Sequence, residues 1–107
     1  MEIVKRVEVR LDDRHAELIK KLEEYVRKEN PLVIRWISMK ARNDSKEIFK
    51  LKIMSYAARN KISEECASKL CWLVDEISRL HPNEEERKNV TYEVFRLVRM
   101  FAKGKRK

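Results

Sequence analysis

Glycine is almost absent from this chain, which has Gly104 as its single glycine among 107 residues. Phosphate-binding loops of the P-loop and dinucleotide-binding types need several glycines, because backbone N–H groups must approach the phosphates closely. The sequence therefore excludes both loops. It also has no repeat and no linker rich in Gly, Ser or Pro, so we predict one compact domain over residues 1–102 and a basic, disordered tail over residues 103–107.

Long apolar runs and cysteines are equally scarce. No run approaches the roughly 18 apolar residues of a membrane span, and the N-terminus lacks the apolar segment of a signal peptide, so we expect a cytoplasmic protein without membrane contact. Cys66 and Cys71 lie in a helical pattern at a spacing that points them about 140° apart, which argues against a disulfide. The same spacing disfavours a zinc site that would combine them with His15 and His81.

The sequence also lacks a recognisable catalytic set. His15 falls on the apolar stripe of a predicted helix, where a satisfied, partly buried histidine is the expected role, and His81 ends a helix, where a cation complements the helix dipole. Asp44, Glu47 and Lys50 have the residue types of a metal-dependent nuclease but no spacing typical of one. We therefore predict a protein that is not an enzyme, with no cofactor, no metal and no small-molecule substrate.

Charge is what the sequence has in abundance. Charged residues make up 41% of the chain, and the 26 Lys and Arg exceed the 18 Asp and Glu to give a net charge of +8. Residues 31–61 carry eight basic and two acidic groups, and residues 91–107 carry six and one, whereas residues 62–90 carry four and seven. The abundance of Lys, Arg and Glu is typical of hyperthermophile proteins, and the positive excess favours an anionic partner.

The first half of the chain has mixed periodicity. Residues 7–11 alternate and predict a short strand, whereas residues 13–29 have helical spacing after an acidic N-cap. Apolar and lysine residues alternate over residues 47–54, and residues 32–41 are rich in Val, Ile and Trp. These two stretches predict a β-hairpin that turns near residues 42–46, with a pair of helices as the open alternative.

The second half is helical throughout. Ser63 and Asn83 are predicted N-caps of two long helices, the first of which runs to about His81, and the short connection through Pro82 makes the helices antiparallel neighbours. The predicted fold class is therefore α+β, with a short N-terminal strand, a helix, a hairpin and two long helices. The alternative is a nearly all-helical domain of five helices.

Two sets of basic residues lead to our main functional hypothesis. One set lies opposite the apolar stripe of the last helix and comprises Lys88, Tyr92, Arg96, Arg99 and Lys103. The other set projects from the predicted hairpin and comprises Lys50, Lys52 and, at its turn, Arg42. A continuous row of cations can follow phosphates and release counterions, so we predict a small nucleic-acid-binding module, such as a DNA-binding regulator, that binds DNA or RNA mainly through phosphate contacts.

Trp72 gives the alternative hypothesis. It falls off the apolar stripe of its helix, among charged residues, and an aromatic side chain surrounded by charge is typical of an interface anchor. The chain would then be a non-enzymatic structural or adaptor protein that works through a homodimer or partner interface. Another part of the same chain could instead cover the ring.

Two short segments resemble DNA-binding families. Residues 56–70 (YAARNKISEECASKL) are similar to a helix-turn-helix core, but Lys61 stands where that family has glycine, and Glu64 and Glu65 would open the recognition helix. Residues 6–22 (RVEVRLDDRHAELIKKL) resemble the strand and first helix of ribbon-helix-helix repressors. Both resemblances imply contact with DNA through the second helix or the strand, and neither identifies a family.

Overall fold

The computed structural model describes residues 10–104, and these residues form helices and no strand. The helices, in chain order, are α1 (Asp13–Lys20), α2 (Glu23–Val26), α3 (Pro31–Lys40), α4 (Lys46–Ala58), α5 (Glu64–Leu80) and α6 (Glu84–Arg99). The predicted α+β fold is wrong, and the nearly all-helical alternative fits, with six helices in place of five. Residues 7–9 of the strand predicted at residues 7–11, and residues 6–9 of the ribbon-helix-helix resemblance, lie outside the described residues.

The helix predicted over residues 13–29 is divided in two. Asp12 caps α1, because its carboxylate accepts hydrogen bonds from the N–H groups of Arg14 and His15. A tight turn then separates α1 from α2, where the N–H of Leu22 donates to the carbonyl of Ile19 at 3.0 Å. Leu22 is fully buried at this turn, so the turn contributes to the core.

The first arm of the predicted hairpin is helix α3. Its β-branched residues suggested a strand, yet Asn30 caps the helix by accepting a hydrogen bond from the N–H of Leu32 at 2.9 Å. Pro31 occupies the first turn, where the N–H that proline lacks would have no helical partner. Burial of Val33, Ile34 and Ile37 in the core outweighs their modest helix propensity.

The second arm of the predicted hairpin is helix α4. Phe49 and Ile53 are four residues apart and face the core, whereas Leu51 is rotated about 200° from each and faces solvent. A helix that is apolar on two opposite sides produces the same alternation as a strand. Lys50 and Lys52, predicted to share one face of a hairpin, instead lie on opposite flanks of α4.

Helix α4 ends in a Schellman motif. The N–H of Lys61 donates to the carbonyl of Tyr56 at 2.9 Å, and the N–H of Asn60 donates to that of Ala57 at 3.0 Å. Asn60 has a φ of 58°, a left-handed conformation that asparagine tolerates better than most residues. Asparagine therefore ends this helix in a chain that has almost no glycine.

Helix α5 lies at the centre of the core and contacts α1, α2, α4 and α6. Its N-cap is Ser63, and that of α6 is Asn83, both as predicted. Helix α3 packs mainly on α6 rather than on α5. The rings of Phe49 and Phe95, 5.2 Å apart, join α4 to α6. The buried stripe of α5 consists of Cys66, Ala67, Leu70, Leu73, Val74 and Ile77.

The chain after α6 returns to the segment between α2 and α3. The N–H of Lys103 donates to the carbonyl of Arg27, and the N–H of Gly104 donates to that of Glu29, both at 2.9 Å. A Cβ atom at residue 104 would lie 2.3 Å from the carbonyl oxygen of Lys28. Glycine is thus required here for close backbone approach, and residues 105–107 of the predicted tail lie outside the described residues.

We expect Gly104→Ala to lower the free energy of unfolding by about 1–3 kcal/mol, because the added methyl group meets backbone atoms that cannot move independently. Chemical denaturation monitored by circular dichroism measures this loss. Lys103→Ala is the matched control, since it removes an exposed side chain and keeps both backbone hydrogen bonds, and we expect a change below about 0.5 kcal/mol. Equal effects of the two substitutions would contradict the close approach at Gly104.

Candidate functional site

The outer face of α4 is an exposed apolar stripe. Ile48, Leu51 and Met54 are 46%, 66% and 42% exposed, and Leu51 lies at the centre of the stripe. The exposed residues of the helix, at spacings of three and four, are Glu47, Ile48, Leu51, Met54, Ser55 and Ala58. Glu47 is the one charged residue among them. Surface helices usually carry polar residues on the face opposite the core, so this face of α4 has the composition of a contact surface.

An open groove of about 790 Å³ runs along this stripe between α4 and α5. Its apolar lining comes from Leu51 and Met54 on one helix and from Cys71 and Trp72 on the other. Burial raises the pKa of the half-buried Cys71 thiol, which favours its neutral form. We call this site the α4–α5 groove, and its remaining lining residues are Lys46, Glu47, Lys50, Ser68 and Asp75.

One rim of the groove is a three-residue ion cluster. Lys50 donates to both carboxylate oxygens of Asp75 at 3.0 Å, and Lys46 lies 3.3 Å from the same carboxylate. Burial of Asp75 opposes ionisation, but the hydrogen bonds from Lys50 and Lys46 outweigh it and lower the pKa of Asp75. The cluster therefore holds one negative and two positive charges, and this rim remains cationic.

Trp72 forms a wall of the groove. Its side chain is half-buried and packs against the core, and the Nζ atom of Lys69 lies 3.8 Å from its ring centroid. The Nζ atom of Lys21 lies 5.8 Å from the same centroid. These are cation–π distances, so two further ammonium groups stand beside the apolar lining. Trp72 had been predicted as an interface anchor, and the structure brings it together with Leu51 and Met54, which sequence reasoning missed.

The basic residues predicted to bind nucleic acid do not form one surface. Five of the seven cations pair with a carboxylate: Lys50–Asp75, Lys52–Asp44, Lys88–Glu84, Arg42–Glu93 and Arg96–Glu93. All five pairs are partly exposed to solvent, so each contributes little to stability, but each places a negative charge beside the cation. Within residues 10–104, only Arg99 and Lys103 of the predicted set have no carboxylate within 4 Å.

Two clefts lie beside α6, and one of them is basic. One, of about 440 Å³, is formed with α3 and is lined by Arg35, Ser38, Met39, Tyr92, Arg96 and Arg99. The other, of about 420 Å³, is lined by Arg42, Asn83, Glu84, Glu85, Lys88 and Asn89. The guanidinium of Arg42 stacks on Tyr92 at 3.8 Å from the ring centroid. Sequence reasoning missed Arg35, because only the packing of α3 against α6 brings it to this cleft.

The helix-turn-helix resemblance falls on α4, a five-residue turn and α5. The order of elements agrees, but α5 is the central helix of the core. Two acidic side chains, Glu64 and Glu65, are exposed in its first turn. This charge would repel DNA phosphates, so the packing does not favour α5 as a recognition helix.

Compared with models of protein families, curated proteins and solved structures, the chain shows no significant match. Residues 10–104 contain no group of three His, Cys, Asp or Glu side chains arranged to hold a metal ion. No helix in this part of the chain is long and apolar enough to cross a membrane. The case for a function therefore depends on the groove and the clefts.

The two histidines form a buried hydrogen-bonded pair. The N–H of Asp12 donates to Nδ1 of His15 at 3.0 Å, so His15 carries its proton on Nε2, which lies 2.8 Å from Nε2 of His81. His81 then donates from Nδ1 to the carboxylate of Glu86 at 2.6 Å. His15 is 1% exposed. This chain of hydrogen bonds joins α1 to the connection between α5 and α6.

We expect acidification from pH 7.5 to 5.5 to destabilise the protein through His15. Burial, assisted by the neighbouring His81, outweighs the attraction of the Asp12 carboxylate and lowers the pKa of His15 below its ordinary value. The folded state then binds fewer protons than the unfolded state, whose histidine pKa is about 6.5, so stability is full above that pH and is lost as the pH falls. Melting temperatures across this range measure the effect.

His15→Phe keeps a ring and removes the titrating group. We expect it to lower the melting temperature at pH 7.5, because the hydrogen bonds of His15 are lost, and to flatten the pH dependence. A slope as steep as that of the unmodified protein would show that another group is responsible.

Proposed function

We propose that this protein is a non-enzymatic adaptor that binds an acidic amphipathic helix of a partner protein in the α4–α5 groove. The observation that carries the proposal is the exposed apolar stripe of α4, with Leu51 66% exposed at its centre. Contiguous exposed apolar surface bordered by charge is characteristic of interaction sites. An amphipathic helix that lies along a groove is a common way to cover such a surface.

Burial of the exposed apolar side chains would contribute to binding in the groove. Complete burial of a fully exposed Leu or Met side chain contributes about 1.5–3 kcal/mol. Leu51 and Met54 are 66% and 42% exposed, so covering them supplies part of that amount for each, before the cost of association. Ser55 and Ala58 are small residues at the end of the stripe. They allow the backbone of a second helix to approach closely.

The charges around the groove favour an acidic partner. Four ammonium groups lie at or near it, from Lys21, Lys46, Lys50 and Lys69, against the carboxylates of Glu47 and Asp75. The whole chain has a net charge of +8, so two copies would repel one another at long range. An acidic helix is attracted both by the ammonium groups around the groove and by the net positive charge of the chain. For this reason we prefer it to a second copy of the chain.

Selection from a displayed library of random helical peptides on the immobilised protein tests this proposal. We expect enriched peptides with apolar residues at helical spacing and acidic flanks. Leu51→Asp should weaken their binding more than tenfold, because it places a charge at the centre of the groove. Leu97→Asp, at another exposed leucine on α6, is the matched control and should change affinity less than twofold.

Sedimentation velocity of the unmodified protein and of Leu51→Asp completes the test. Self-association that depends on Leu51 would keep the groove as the docking site and replace the acidic helix by a second copy. The absence of both peptide binding and self-association that depend on Leu51 would refute the adaptor function.

A further inference from the structure

The cleft between α3 and α6 that contains Arg35 is more uniformly cationic than the α4–α5 groove or the cleft of Arg42 and Lys88. It is lined by three arginines, a serine, a methionine and a tyrosine, and by no carboxylate. The α4–α5 groove and the neighbouring cleft of Arg42 and Lys88 each include acidic residues in their linings. We call this surface the arginine cleft.

Two of the three guanidinium groups have no counter-charge in the part of the chain that the structure describes. Within residues 10–104, no carboxylate lies within 4 Å of Arg35 or Arg99, whereas Arg96 pairs with Glu93 at 3.2 Å. Arg35 comes from α3 and Arg99 from the last turn of α6, so they reach the cleft from different helices. Guanidinium groups bind phosphate oxygens through paired N–H donors. Two arginines without a nearby carboxylate are therefore suited to binding phosphate.

The remaining lining adds apolar contact. Met39 is 56% exposed, and Tyr92 is half-buried with Arg42 stacked on its ring. A volume of about 440 Å³ is within the range of sites that enclose a small organic group. A phosphate beside a flat apolar group is the chemistry of one nucleotide unit.

We propose that the arginine cleft binds single-stranded nucleic acid, with Arg35 and Arg99 on phosphates and Met39 against a base. The proposal is independent of the adaptor function, because it uses helices α3 and α6 rather than the α4–α5 groove. Lys103, exposed one turn beyond Arg99, and Arg42, beside Tyr92, extend the cationic path in both directions. A flexible strand can enter a recessed cleft, whereas the backbones of a rigid duplex remain outside it.

Fluorescence anisotropy with a labelled 12-nucleotide oligouridine, the matching oligothymidine and a 12-base-pair duplex tests this proposal. The decisive variant is Arg35→Glu with Arg99→Glu. Its matched control is Lys20→Glu with Lys28→Glu, which reverses two exposed lysines elsewhere and changes the net charge equally, from +8 to +4. Circular dichroism of both variants verifies that they fold.

We expect the single strands to bind more tightly than the duplex, with affinity that falls linearly on a logarithmic salt scale. The arginine variant should lose more than tenfold in affinity for the single strands, and the lysine control less than threefold. Uridine monophosphate should compete only at much higher concentration than unlabelled oligouridine.

Four results would overturn the proposal. Equal losses in the two variants would mean that net charge alone attracts the strand. Tighter binding of the duplex would place the contact on an outer surface, and equal potency of uridine monophosphate would identify a free nucleotide as the ligand. No binding at low salt would remove nucleic acid as a ligand of this cleft. None of these results affects the dependence of peptide binding on Leu51, so the two proposals fail separately.

Discussion

The fold depends on the burial of one apolar stripe along helix α5, which contacts four other helices. Cys66 and Ala67 are small residues at its N-terminal end and allow close packing, while Leu70, Leu73 and Ile77 fill the space among the surrounding helices. Burial also raises the pKa of Cys66 to about 12, so its side chain is an uncharged thiol within the core. Helices α1, α2 and α6 also pack on α5, and α4 makes the most extensive contact with it.

The position of α4 on α5 explains why the apolar stripe is exposed. Phe49 and Ile53 are buried in the core, whereas no described element lies beyond α4 to cover Leu51. The N-terminal end of α5 is also held in place by Glu29, whose carboxylate accepts hydrogen bonds from the N–H of Ser63 at 3.2 and 3.3 Å. The packing of α5 therefore determines both the core and the surface that we propose for a partner.

The arginine cleft lies between a different pair of helices, α3 and α6. The two proposed sites therefore depend on different contacts between helices.

The sequence predicted those parts of the fold that depend on local interactions. The N-caps were predicted because they depend on local sequence alone. An N-cap side chain accepts a hydrogen bond from a backbone N–H group within three residues, as in Asp12, Ser63 and Asn83. Helix α4 was mistaken for a strand because its second apolar face belongs to an external surface, which adds apolar residues where solvent-facing residues are expected. Trp72 stood out for its charged neighbours, but its association with Leu51 required the packing of α4 on α5. Arg35 gave no local signal, since its role depends on which helix lies beside α3.

The hydrogen bond between His15 and His81 joins residues 66 positions apart, and it holds a helix with little other attachment. Helix α1 buries only His15 and Leu18, whereas each of the helices α3 to α6 buries at least three side chains. Local opening free energies follow the amount of buried contact in a segment. Helix α1 is therefore expected to be a separate cooperative unit that detaches while α3 to α6 remain folded, and its amide hydrogens would exchange with solvent before those of α5.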